Sequence, residues 1–264
     1  MLKTRILTAL VLAAVLLLAL FQLPALGWIL FCGVLLGLAA WEWCSLAGLS
    51  APVSVIYPLL TTAAFCVLAI SSVPTEILAG VLFGASLFWL MLAPLWLRNK
   101  WRLRSAGYLN LLLGWALLLP AGIALLVLRG NGWLLLGVML VAWIADTAAY
   151  FSGKMFGRHK LAPTISPGKT WEGAAGAVLF VMLYVWLVPK PFEFSGIATL
   201  MIGVLLTAVS IVGDLLESLF KRQAGMKDSS HLLPGHGGVL DRVDSLLSLL
   251  PVAASIYLGH PLFF

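Results

Sequence analysis

Apolar stretches of membrane-spanning length recur along this chain from its beginning to its end, and that recurrence leaves few folds open. A helix rises about 1.5 Å per residue, so crossing about 30 Å of hydrocarbon takes roughly 20 apolar residues. Stretches near that length cover residues 5–22, 26–46, 53–72, 77–97, 107–128, 132–151, 173–189, 196–220 and 239–258. The expected fold is therefore an all-α, polytopic integral membrane bundle of about nine transmembrane helices. Composition agrees, because 62% of the 264 residues are hydrophobic, only 10% are charged, and the mean hydropathy is +1.08. Soluble globular chains lie far from those values.

Lys and Arg tend to stay on the cytoplasmic side of spans. An inward N-terminus gives the cytoplasm Lys3, Arg5, Arg98, Lys100, Arg102, Arg104, Lys154, Arg158, Lys160, Lys169, Lys221, Arg222, Lys227 and Arg242, and leaves only Arg129 and Lys190 outside. With an odd number of spans the C-terminus is then expected outside. The net charge of +6 reads as a topology signal and an attraction to anionic lipid headgroups, with no basic soluble domain to bind nucleic acid. The first apolar stretch reads as an uncleaved helix, since no A-x-A-like site follows it. Cys32, Cys44 and Cys66 sit in or beside apolar segments without the spacing of a disulfide or metal pair.

The first four stretches carry almost no ionisable residue beyond Glu42 and Glu76 and read as scaffold. The basic run "RNKWRLR", residues 98–104, sets a boundary between scaffold helices 1–104 and a chemistry-bearing part 105–264. Two substantial inward loops, 152–172 and 221–238, and the helix ends beside them hold nearly all the reactive side chains.

In "VGDLLESLFKR" the residues Asp214, Glu217 and Lys221 fall three and four apart and share one helical face. Carboxylates in hydrocarbon cost several kcal/mol and so face a cavity, a partner or an ion. A salt bridge to Lys221 is the plain structural reading, with Glu217 its more natural member. Asp241 and Asp244 share a face at the start of the last span, where helix capping is the corresponding plain reading. Asp214, Asp241 and Asp244 at one depth would repel one another without a cation, and Mg²⁺ commonly takes one or two carboxylates plus substrate phosphates. The intervening loop holds Lys221, Arg222, Lys227, His231 and His236 with Gly235, Gly237 and Gly238, and reads as a phosphate cradle. In the other loop a P-loop match fails, because Pro163 stands where its first glycine should be. Ser166, Lys169 and Thr170 remain as phosphate or ribose contacts, with Glu172 just beyond. Asp146, buried in apolar sequence with Tyr150 one turn on, asks for a counter-ion or ligand. The four histidines have no metal-site spacing, and no G-x-S-x-G elbow is present.

The stretch "SLFKRQAGMKDSSHLLPGHGGVLDRVD", residues 218–244, resembles the signature of the phosphatidate cytidylyltransferase family, also called CDP-diacylglycerol synthases. Its pattern falls on Ser218, Lys221, Arg222, Lys227, Asp228, His236, Gly237, Gly238, Asp241, Arg242 and Asp244, and "ADTAAYFSGKMFG" and "SPGKTWEG" resemble the bacterial members. The resemblance implies a bacterial inner-membrane enzyme, active at the cytoplasmic face, that joins CTP and phosphatidic acid into CDP-diacylglycerol and pyrophosphate. It implies Mg²⁺ on Asp214, Asp241 and Asp244, with Lys227 among the catalytic groups. Phosphates would fall to Lys221, Arg222, Lys227, His236 and Arg242, aided by Gly237 and Gly238. Asp228 would orient Lys227, touch cytidine or support a second cation. A CTP-dependent lipid-alcohol kinase and, from another class, a secondary transporter remain as alternatives, and a homodimer is one option for assembly.

Overall fold

The computed structural model describes residues 2–103, 107–188 and 196–260. The side chains of Lys3 and Arg5, and all of Arg104 and Lys190, lie outside that description. The chain forms α1 (Leu2–Gln22), α2 (Ala25–Leu46), α3 (Ala51–Ile70), α4 (Thr75–Leu87), a π turn (Phe88–Leu92), α5 (Ala93–Asn99), α6 (Tyr108–Leu128), α7 (Gly132–Phe156), α8 (Trp171–Leu187), α9 (Gly196–Gln223) and α10 (Leu240–Gly259). From Thr75 to Asn99 the helix is continuous. Its register slips just ahead of Pro94, which has no N–H to offer the preceding turn. Among the described residues, seven helices are long and apolar enough to cross a membrane, and Ile6–Gln22 and Trp171–Leu187 are shorter apolar helices.

The all-helical expectation needs one amendment. Residues 160–170 form an antiparallel hairpin, β1 (Lys160–Ala162) with β2 (Ser166–Thr170), pairing Lys160 with Thr170 and Ala162 with Ser166.

Helix α10 is the centre of the bundle, with 56% of its apolar window buried against 17% for α3, which faces outward. It packs on α4, α6, α7 and α9. In a bilayer, helices associate through close packing of small residues and through polar contacts. Both occur here. A Cβ on Gly213 of α9 would come within 2.8 Å of the Asp244 carbonyl, so glycine lets α9 and α10 meet backbone to backbone. Ser248 Oγ donates to the Val209 carbonyl at 2.9 Å, and Ser86 of α4 lies 2.9 Å from Ser255 of α10. This contact brings Asp214 of α9 and Asp244 of α10 to the same level.

Candidate active site

The polar face of α9 forms as its spacing predicts, but its members have separate tasks. Lys221 and Glu217 are buried, and the Lys221 ammonium lies 2.6 Å from Glu217 Oε2 and 2.5 Å from Asp241 Oδ1. The salt-bridge reading holds for Glu217. Lys221, expected on a substrate phosphate, is already neutralising two carboxylates.

Asp241 is equally committed. Its Oδ2 accepts from the Ser229 N–H, the Ser229 hydroxyl and the Gly238 N–H, each at 2.8 Å, while Oδ1 accepts from Lys221. Asp241, in the first turn of α10, reaches back to N–H groups of the preceding loop and so ties that loop to the start of the helix.

A second carboxylate completes that tie, and it comes from the segment read as scaffold. Glu42 of α2 is fully buried. Its Oε1 accepts from Ser230 Oγ at 2.7 Å and the Val239 N–H at 2.8 Å, and its Oε2 from Ser229 Oγ at 3.0 Å and the Leu240 N–H at 2.7 Å. Glu42 thus places its charge on the N-terminus of α10, where unpaired N–H groups and the helix dipole favour an anion. The loop glycines serve this arrangement. A Cβ on Gly238 would collide with Ser229 and Glu42, and Gly237 turns with φ +77° while its carbonyl accepts from the Leu233 N–H at 2.8 Å. Of the glycines expected to cradle a phosphate, Gly238 gives its N–H to Asp241, and the next two N–H groups, of Val239 and Leu240, go to Glu42.

Asp146, Asp214 and Asp244 contrast with these. Asp244 of α10 lies within electrostatic reach of Asp214, Glu217 and Asp146, and Asp146 of α7 within reach of Asp214, Lys169, Arg242 and Ser245. Among the described residues, Asp244 accepts from its neighbour's N–H, Ser245, at 2.7 Å, and Asp214 accepts from Ser218 Oγ at 3.3 Å. Three helices therefore direct carboxylates to one place with few donors to meet them.

The hairpin closes over this place. Lys169 of β2 sets its ammonium 2.5 Å from Asp214 Oδ2, and Arg222 Nε donates to the Ile165 carbonyl at 3.3 Å, so the hairpin is fastened to α9 at two points. Thr170, expected to touch substrate, is buried and caps α8 by accepting from the Gly173 N–H at 3.1 Å. Glu172 lies 2.6 Å from His159 Nδ1 and accepts the His159 N–H, tying the hairpin base. Ser166 sits partly buried where β2 begins, opposite Ala162. Lys227, Asp228 and Arg242 are exposed at the rim, and the structure gives Lys227 and Asp228 no ion pair among the described residues. His236 and Arg242 border an apolar cavity of about 510 Å³ that runs between α1, α2, α6, α7 and α10.

The donor chemistry of Asp146, Asp214 and Asp244 is that of a hard, oxygen-preferring divalent cation such as Mg²⁺. Among the described residues no three acidic, His or Cys side chains stand close enough together to form a finished metal cage. That suits an ion completing its shell with water and substrate oxygens. Asp241, whose two oxygens already accept four hydrogen bonds, fits that role less well than Asp146.

The pattern of the cytidylyltransferase family matches residues 3–259. The chain belongs to that family. A phosphatidate cytidylyltransferase of Pseudomonas aeruginosa is 43% identical to this family member over 268 residues, covering 97% of each chain. One of Haemophilus influenzae is 35% identical over 287 residues, covering 97% of this chain and 99% of its own. The phosphatidate cytidylyltransferase of Brucella suis is 50% identical over 127 residues, 47% of this chain and 45% of its own. The match to the cytidylyltransferase family thus extends over α1 to α5 and takes in Glu42 as well as the loop it holds.

Proposed function

We propose that this protein transfers a cytidylyl group from CTP to phosphatidic acid, giving CDP-diacylglycerol and pyrophosphate for phospholipid synthesis. One observation carries the reading: donor-poor carboxylates, exposed cations and an apolar cavity meet at one end of the bundle. A water-soluble triphosphate and a lipid phosphate can both reach that point, and few other substrate pairs need all three features. The family and its relatives named phosphatidate cytidylyltransferase support it over most of the chain.

The lipid phosphate is itself the nucleophile, so no covalent enzyme intermediate is needed. Its oxygen attacks the α-phosphorus of CTP, the bond to the β-phosphate oxygen breaks, and pyrophosphate leaves. The protein has to align two anions and offset their charge. Arg242 and His236, at the mouth of the cavity, would hold the lipid phosphate. Lys227 and Arg222, exposed beside the hairpin, would meet the triphosphate, and Lys169 would exchange its contact with Asp214 for a substrate oxygen. Asp228 is exposed, with no ion pair among the described residues, and suits an orienting role toward Lys227 or cytidine. Asp146, Asp214 and Asp244 would hold Mg²⁺, which when bound offsets charge on phosphoryl oxygens. Lys221, Asp241 and Glu42 keep the loop and α10 in place for this.

We also propose nine crossings, an inward N-terminus and a cytoplasmic active site in the bacterial inner membrane. Arg98, Lys100, Arg102, Lys154, Arg158, Lys160, Lys169, Lys221, Arg222 and Lys227 lie at the site's end of the bundle and Arg129 at the other, which supports it. Purified protein supplied with phosphatidate, CTP and Mg²⁺ should yield lipid-linked cytidine and pyrophosphate in equal amounts. Release of CDP from a lipid alcohol would point to a kinase instead, and solute uptake into vesicles without nucleotide to a transporter.

A further inference from the structure

The apolar cavity has a depth, a floor and a charged mouth. At one end stand His236 and Arg242, and at the other Trp28 of α2, Leu125 of α6 and Leu250 of α10. Along α10 the lining runs from Val239 to Leu250, which at 1.5 Å per residue is about 16 Å. The floor lies near the far end of the bundle, since Trp28 is in the first turn of α2. Trp28 is buried at the floor, and the Arg129 guanidinium lies over its ring at 5.1 Å, so the floor is braced from the far side by a charged group. The side wall formed by α1 is the lightest part of the bundle, packed chiefly against α2.

We propose that one acyl chain of the lipid substrate lies in this cavity while its phosphate sits at His236 and Arg242, and that the Trp28 floor sets the chain length accepted. This rests on the lipid-phosphate reading of the site given above. An apolar cavity of this length that opens beside Arg242 and His236, the residues read above as phosphate contacts, matches a lipid held by head and tail together. A chain too short leaves apolar wall uncovered, and a chain too long meets the indole. Each methylene buried is worth roughly fourfold in affinity. Entry past α1 from the bilayer would spare the chain any passage through water.

Two variants test this in the full-length protein, assayed with CTP and phosphatidates of defined chain length. Ala13→Phe, on the cavity face of α1, should fill the middle of the cavity. It should lower kcat/KM for dipalmitoyl phosphatidate about tenfold and leave dihexanoyl phosphatidate within about twofold. Trp28→Ala should deepen the cavity and raise kcat/KM for distearoyl relative to dipalmitoyl phosphatidate by roughly fourfold or more. Equal losses at every chain length, or unchanged ratios in both variants, would overturn the proposal. A wild-type protein that makes no lipid-linked cytidine would instead overturn the functional reading beneath it.

Discussion

Two sets of carboxylates meet on α10, at Asp241 and Asp244, and live in opposite surroundings. Glu42 and Asp241 are well supplied: seven donors from the Ser229–Leu240 segment and Lys221 meet their four oxygens, with the Ser229 hydroxyl shared between the two carboxylates. Asp146, Asp214 and Asp244 lie within electrostatic reach of one another, and Lys169 and Arg242 are cations within reach of Asp146. A buried charge met by fixed donors costs little further and resists change. A group of like charges left short of donors is stable only with a cation among them, which makes it a binding site rather than a brace. The difference separates what holds the loop from what works on substrate, although both sets read alike as acidic residues near a membrane surface.

The sharpest way to break this division is to remove a charge from the donor-poor set. Asp244→Asn should cut turnover at least a hundredfold, since several kcal/mol of charge offset in the transition state are at stake, and should leave thermal unfolding in detergent near wild type. A large fall in unfolding temperature would place Asp244 with the braces instead. Glu42→Ala should do the reverse in kind. It strands the α10 N–H groups and two serines, so unfolding should come earlier by at least about 3 kcal/mol, and turnover should fall about tenfold as the loop loosens. Trypsin should then cut faster at Arg222 and Lys227. Unchanged stability would show that water replaces the carboxylate and that the brace is dispensable. At the small end, His159→Ala removes an exposed pair with Glu172 and should change activity less than about twofold. A larger loss would mean that the hairpin base positions Lys169 more tightly than the Asp214 contact alone.

Much of the architecture was legible in the sequence because hydrocarbon imposes length and composition on each span, and the apolar stretches fall on the observed helices. The similar depth of Asp214 and Asp244 was legible from their places in the last two apolar stretches. The role of Glu42 was not, since its partners are 187 to 198 residues away and no local pattern connects them. One signal was present: a lone carboxylate in an otherwise apolar span is too costly to be idle. For Asp241 the spacing could not separate capping from metal binding, because both want a carboxylate in the first turn. The sequence could not show the three N–H and hydroxyl donors on its Oδ2, which favour a bracing role. Thr170 showed a readable cap signal, a threonine directly before an apolar run, which the neighbouring Gly-Lys obscured as a phosphate motif. The short hairpin had too few residues for alternation to stand out.

The division of labour among the carboxylates is tested most directly by manganese(II), a paramagnetic substitute for Mg²⁺, titrated into the detergent-solubilised protein and followed by electron paramagnetic resonance. The account predicts that Asp214→Asn and Asp244→Asn weaken manganese binding at least tenfold, while Asp241→Asn binds within about threefold of wild type even as its stability falls. Loss of binding in Asp241→Asn with binding retained in Asp244→Asn would contradict it.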